Sequence, residues 1–180
     1  MNPKKRKQHK AILLDASSAI LLAKAGFHEM LATAYRIIMS DSVFDEITRK
    51  SLPGSDEYRK LLLEKQLKVF PVSNPSSRSV TDASLQRLDR GERDTLLLFH
   101  KGHGDFVVTD DGAAARFCLD NRVPFVNSLL LLRILHHSGM IGDSSYRTGF
   151  QSLLAQGRYS EKVKEYARSC PDSELLFFFP

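Results

Sequence analysis

The sequence predicts an α/β fold, a three-layer α/β/α arrangement around a mainly parallel sheet of about five strands, followed by C-terminal helices. Three observations carry this. Short apolar runs of strand length alternate with segments of helical periodicity, the pattern of right-handed βαβ units. Acidic patches recur where a strand hands over to a helix: Leu13-Leu14-Asp15-Ala16-Ser17, Val43-Phe44-Asp45-Glu46-Ile47, Gly91-Glu92-Arg93-Asp94 and Val107-Val108-Thr109-Asp110-Asp111. The two cysteines, Cys118 and Cys170, are too few and too far apart for a disulfide framework or a zinc pattern, so an apolar core must hold the fold.

The elements follow in order. Ala11 to Leu14 is a buried strand, and Ser17 or Ser18 caps a helix that runs to a Gly26 cap. Arg36-Ile37-Ile38-Met39 is a second strand. Ser40-Asp41 then opens a helix through Lys50 that Pro53-Gly54 stops. Asp56 to Gln66 is helical and charged. Leu67-Lys68-Val69-Phe70 alternates and meets Pro71, which marks an edge strand. A Ser/Pro-rich loop covers Asn74 to Ser79, followed by helices over Thr81–Leu88 and Gly91–Lys101. Phe106-Val107-Val108 is a fourth strand before a helix from Asp111 to Asn121. Pro124-Phe125-Val126 is a fifth before a helix from Ser128 to Ser138. Beyond Gly142 two more helices are expected, near 144–155 and 160–169. Strand character returns only in the closing Leu175-Leu176-Phe177-Phe178-Phe179-Pro180.

Charge divides the chain. The net charge is +5, yet Lys4, Lys5, Arg6, Lys7 and Lys10 fall in the first ten residues with no acid. Removing those five leaves 21 basic against 21 acidic residues, so the body is formally neutral and does not coat nucleic acid by charge alone. Three regions result: a basic flexible tail over 1–10, a main domain over 11–142, and a helical extension with an apolar end over 143–180. The tail reads as solvated chain, or as a weak, salt-dependent grip on RNA phosphates. A secretory signal is not expected, because Asp15 and Ser17-Ser18 interrupt its apolar segment. No run reaches the ~20 apolar residues of a membrane-spanning helix. A cytoplasmic protein without membrane contact is the expectation.

Carboxylates just past buried strands sit where open α/β sheets bind ligands. Strands one and four are expected as neighbours, which brings Asp15 to Asp110 and Asp111. Glu92 and Asp94 open a helix after a glycine, and Glu46 lies one turn into the helix after strand two. Acids that converge repel one another unless a cation neutralises them. Hard divalent ions take such oxygen ligands and can assist phosphoryl transfer by in-line displacement. Ser17 and Thr109 are placed to orient a carboxylate or a metal-bound water. Any single patch is also explained by the preference for acids in first helical turns; four at element ends of one βα pattern argue for a shared site. Position 17 is Ser where a haloacid-dehalogenase-type phosphatase needs a second Asp, the acidic pair of a receiver domain is missing, and no phosphate-binding glycine loop occurs.

These motifs, in this order and spacing, together with Val123-Pro124-Phe125-Val126-Asn127-Ser128, resemble the PIN-domain family, specifically VapC-type toxin ribonucleases, over roughly residues 11–142. The tail resembles a Gly-Glu subgroup with an added helix near Gly157-Arg158-Tyr159-Ser160. The resemblance implies a Mg²⁺- or Mn²⁺-dependent endoribonuclease that cleaves RNA with a metal-activated water, and a protein antitoxin as partner. Asp15, Glu46, Glu92, Asp94 and Asp111 would be its catalytic acids, and Asp15, Glu92, Asp94, Asp110 and Asp111 its metal ligands. Either Glu92 or Asp94, and either Asp110 or Asp111, can be the direct ligand at this stage. Asn127-Ser128 replaces the subgroup's frequent Gly-Thr pair, which alters one wall of the site. The alternatives are a PIN fold kept as a non-catalytic RNA- or protein-binding module, and a DNA-directed nuclease. His100, His103 and the His136-His137 pair read as helix-end and surface residues rather than zinc ligands. Three consecutive phenylalanines do not stay in water, so the closing run is expected to pack on its own domain or in a homodimer.

Overall fold

Strand residues alternate between two cores, which makes the sheet the middle layer of three. The structure, a computed structural model, describes residues 9–49, 52–72 and 84–180. In chain order the elements are β1 (Ala11–Leu14), α1 (Ala16–Lys24), α2 (His28–Ala34), β2 (Arg36–Ser40), α3 (Asp41–Arg49), α4 (Ser55–Leu63), β3 (Leu67–Phe70), α5 (Arg90–His100), β4 (Phe106–Val108), α6 (Gly112–Asp120), β5 (Phe125–Val126), α7 (Ser128–His137), α8 (Asp143–Gln156), α9 (Glu161–Ser169) and α10 (Asp172–Leu175). The strands form one sheet in the order β3-β2-β1-β4-β5, and every pairing is parallel. This is the expected α/β/α fold, with β1 and β4 adjacent and β3 at an edge.

Side chains of successive strand residues point to opposite faces. Ile12, Leu14, Ile37, Met39, Phe106 and Val108 enter one core with α1, α2, α7, α8 and α9. Ala11, Leu13, Ile38 and Val107 enter the other with α5 and α6. The helices after residue 142 share the larger core: Phe150, Leu153, Ala167, Cys170 and Leu175 are all buried there. Arg133 on α7 fastens them further, donating to the Ala167 carbonyl at 3.1 Å and to Asp172 at 3.0 Å.

Several local expectations change. The cap of α1 is Asp15, not Ser17 or Ser18: its Oδ1 accepts the Ser18 amide at 2.7 Å, because the helix begins directly after the strand, at Ala16. Gly26 takes the left-handed position just beyond the helix, with φ of 79°. α2 has no counterpart among the elements expected from sequence. It is short, lacks a side-chain cap, and buries only Leu31 and Ala34. α4 spans Ser55–Leu63 and stops before Gln66, where Lys65 turns to a φ of 60°. Of the expected 81–88 helix, the described residues hold one 3₁₀ turn, Leu85–Arg87; residues 81–83, the 74–79 loop, Lys50 and the basic residues Lys4, Lys5, Arg6 and Lys7 lie outside them.

The closing run is not a strand. Acids in the first turn of α10 favour helix, and a 3₁₀ turn over Leu176–Phe178 follows. The run packs on its own domain in part, at the amino edge of the sheet: Leu175 is buried and Phe178 and Phe179 partly so, while Leu176 and Phe177 stay exposed because the 3₁₀ turn points them outward. Phe178 meets Phe106 edge-on with ring centroids 5.0 Å apart, and its carbonyl accepts from the Tyr35 hydroxyl at 2.7 Å. Among the described residues no helix is long and apolar enough to cross a membrane.

Candidate active site

The parallel register sets Leu14 beside Val108, so the chain leaves β1 and β4 at the same point. Asp15 continues the pairing, its amide donating to the Val108 carbonyl at 3.2 Å. Its buried carboxylate accepts from Thr109 Oγ1 at 2.5 Å, from the Ser18 amide at 2.7 Å and from Ser17 Oγ at 3.0 Å. The residues expected to orient an acid here, Ser17 and Thr109, therefore both hold Asp15. Burial pushes the Asp15 carboxyl up to about 6, against the Thr109 and Ser18 hydrogen bonds and with some help from the charge of Asp110.

Asp110 and Asp111 have different surroundings. Asp110 accepts from Ser18 Oγ at 2.7 Å, from the Tyr159 hydroxyl at 2.7 Å, and from both the amide and the hydroxyl of Ser128. Its carboxylate binds strand end, α1, α7 and the α8–α9 turn together. Asp111 caps α6, and only Oδ1 is used, by the Ala113 and Ala114 amides at 2.7 and 2.9 Å. Its Oδ2 meets no donor among the described residues.

The two acids of the α5 start also separate. Glu92 Oε2 closes a capping box on the Asp89 amide at 3.1 Å. Partial burial pushes its carboxyl up to about 7, with the negative charge of Asp111 next in importance and those of Asp89 and Asp15 adding. Asp94, two residues on, is buried and faces α3. It accepts from Ser42 Oγ at 2.7 Å, and the Arg90 Nε stands 3.6 Å away. Glu46 is exposed on α3 beside Gly91, where an added Cβ would lie 3.4 Å from its Oε2 and 3.3 Å from Val43 Cγ2. That glycine lets the α5 start approach α3. Glu46 and Gly91 line a cavity of about 500 Å³ together with Ser42, Asp45, Arg49 and Arg90.

The structure thus brings Asp15, Glu92 and Asp111 within electrostatic reach, with Asp110 behind them and Asp94 and Glu46 on the α3 side. Lys10 is elsewhere: its Nζ donates to the Phe179 carbonyl at 2.9 Å, just before β1 begins. Among the described residues no three His, Cys, Asp or Glu side chains are gathered tightly enough to share one ion. The donor chemistry nonetheless suits a hard divalent cation. The groups are carboxylates, and every charge that raises Asp15 or Glu92 is negative.

Ser18, Ser42, Ser128 and Tyr159 enter the site without having been singled out as site residues from sequence. Ser18, Ser128 and Tyr159 sit inside stretches already noted in the sequence, but without a role at the site. Tyr159 is 49 residues from its acceptor, and only the fold joins them. Tyr159→Phe removes one hydrogen bond to a charged group, a loss of about 1.5–3 kcal/mol. The expected result is a lower midpoint in urea unfolding; an unchanged midpoint means the bond to Asp110 adds nothing.

No curated protein matches this chain. A family model described as a PIN domain matches residues 11–169, a span that contains all five strands, the four acidic patches and both α8 and α9. PIN domains are typically nucleases, and Asp15, Asp110 and Asp111 sit at the carboxyl edge of the sheet, where open α/β sheets bind ligands. With most of its length matched, the chain belongs to the PIN-domain family.

Proposed function

We propose that the protein is a Mg²⁺- or Mn²⁺-dependent endoribonuclease of the VapC toxin type, with a protein antitoxin as its partner. The observation that carries the reading is the gathering of Asp15, Glu92 and Asp111 past the strand ends, where burial first, and then the charge of Asp110 at Asp15 and of Asp111 at Glu92, hold two carboxyls well above their usual range. Structural capping alone does not account for it, since capping hydrogen bonds lower a carboxyl pKa rather than raise it. Asp15, Glu92 and Asp111 are the residues that would hold the ion, with Asp94 and Glu46 completing the α3 side. A bound Mg²⁺ or Mn²⁺ supplies charge neutralisation at the scissile phosphate and lowers the pKa of a water.

The chain's own residues fix the geometry. Thr109 and Ser17 hold the Asp15 carboxylate in one orientation. Asp111 keeps Oδ2 free because its other oxygen is spent on α6. Asp110 acts as a brace, since its oxygens already serve Ser18, Ser128 and Tyr159. Glu92 spends Oε2 on the Asp89 amide, which leaves Oε1 for the ion.

The test is cleavage of single-stranded RNA and of DNA of the same sequence in Mn²⁺. RNA is expected to be cut and DNA spared. Glu92→Gln should lose at least ~100-fold in rate, more than the ~10–100-fold typical of a residue that acts through a ligand, which is the loss expected for Asp94→Asn. Near-normal rates in both variants remove the α5 start from the mechanism. Preferred cleavage of DNA replaces the substrate class, and absence of any cleavage removes the catalytic reading.

A further inference from the structure

A groove of about 750 Å³ leads away from the carboxylates, within the range of ligand pockets. Thr109, Asp110 and Asp111 form one part of its lining. One wall comes from α6 and β5, with Leu119 and Phe125; the other comes from α9 and the segment after it, with Lys162 and Tyr166. Lys162 and Tyr166 are four residues apart on α9 and so share a face, while Ala167 turns into the core. The lining is mostly apolar, and two of its large side chains are unusually exposed, Leu119 at 69% and Tyr166 at 47%.

The cations of this region fall into two sets. Lys164 pairs with Glu161 and Arg133 with Asp172. Arg158 and Lys162, both on the groove, have no acidic partner among the described residues. The acids on the groove beyond the site do not serve them: Glu174 accepts from the Tyr166 hydroxyl at 2.5 Å.

We infer that this groove is a subsite for one nucleotide of single-stranded RNA flanking the cleaved bond, with its base against Phe125, Leu119 and Tyr166 and its phosphate on Arg158 and Lys162. The inference rests on the nuclease reading, because the strand must continue over Asp15 and Asp111. An apolar protein segment would use the groove's walls and leave two cations unmatched. A nucleotide uses both, offering an apolar face and an anionic backbone. A base held in a duplex cannot turn its face to such a wall, so the occupant is single-stranded.

The test uses the full chain in EDTA, so that binding is read without cleavage, and a fluorescent single-stranded RNA of about ten nucleotides, within the usual site sizes. The Arg158→Ala/Lys162→Ala double variant should bind more weakly and flatten the salt dependence by a slope of ~0.7, the value for one phosphate contact on a single strand. Tyr166→Ala should lose roughly 5- to 150-fold in affinity, the range for one stacked base. Tyr166→Phe loses the bond to Glu174 and keeps the ring, so it should bind as the parent does. Weakening by Tyr166→Phe as strong as by Tyr166→Ala makes the effect structural and overturns the proposal. So does wild-type affinity in the double variant, or a change confined to self-association in light scattering. Cleavage in Mn²⁺ is measured alongside. Normal cutting with indifferent groove variants removes the groove and keeps the nuclease; groove-dependent binding without cutting keeps the groove and removes the nuclease.

Discussion

Asp15→Asn is expected to abolish Mn²⁺ binding and cleavage while leaving the chain folded. Asparagine caps helices as well as aspartate does, so α1 keeps its start, whereas a neutral amide gives up the charge a cation needs. Calorimetric titration with Mn²⁺ checks the first point, and unchanged affinity sinks the shared site. The same variant has a signature in the metal-free protein. The Asp15 carboxyl is raised from its unfolded value near 3.8 to about 6, so the folded state holds the proton more tightly. That contribution to stability is fully present below about pH 4 and is lost as pH rises through about 6. For so buried a group the swing is about 3 kcal/mol at most. Glu92, raised to about 7, extends the loss toward neutrality, with a smaller share because it is half-exposed. Wild type and Asp15→Asn should therefore unfold alike near pH 4, with the variant the more stable at pH 7. Parallel stability curves across that range mean that Asp15 does not titrate in the fold as its burial implies.

Removing residues 175–180 should produce the largest loss of stability. Leu175 is fully buried, Phe178 and Phe179 are half-buried against the larger core, and Phe177 is half exposed. At ~1.5–3 kcal/mol for each fully buried large side chain, and less for the partly buried rings, the total is roughly 3–6 kcal/mol. The deletion also strips the Tyr35 hydroxyl and the Lys10 ammonium of the carbonyls they bind. A single domain has only ~5–15 kcal/mol in hand, so the deletion removes a large share of that margin and the melting temperature should fall well below that of the full chain. The measurement is thermal unfolding by circular dichroism, and a melting temperature equal to that of the full chain rules out an anchoring role.

The sheet was legible because each strand is an apolar run with a clear stop. Leu67–Phe70 ends at a proline, and Phe106–Val108 ends at Thr109-Asp110-Asp111. α2 was not, since seven residues with two buried positions give periodicity too little to work on. In the site, residue type and placement after a strand picked out the acids, but not their division of labour. Glu92 and Asp94 lie on one helical turn, and sequence treats them alike. The capping box turns one toward Asp111, while Ser42 draws the other toward α3. Asp110 and Asp111 are likewise neighbours whose roles diverge through partners on α1, α7 and α6. Composition alone signalled that the closing run would pack, which Phe178 and Phe179 do in part while Phe177 stays exposed. Their place against Phe106 and Tyr35 depends on the tertiary path.

The central position of β1 has a consequence for the order of events in a cell. Asp15 is made early, but the hydroxyl that holds it, on Thr109, is 94 residues further along the chain. β1 can pair with β2 while the ribosome is still translating, whereas its β4 side stays open until that distant strand arrives. Closing so long a loop is slow and comes late in folding. The Tyr159 brace on Asp110 arrives later still. A nascent chain therefore holds Asp15 and Glu92 before Asp111 and the hydroxyl that fixes Asp15 exist, so the acids of the site come together only near the end of synthesis.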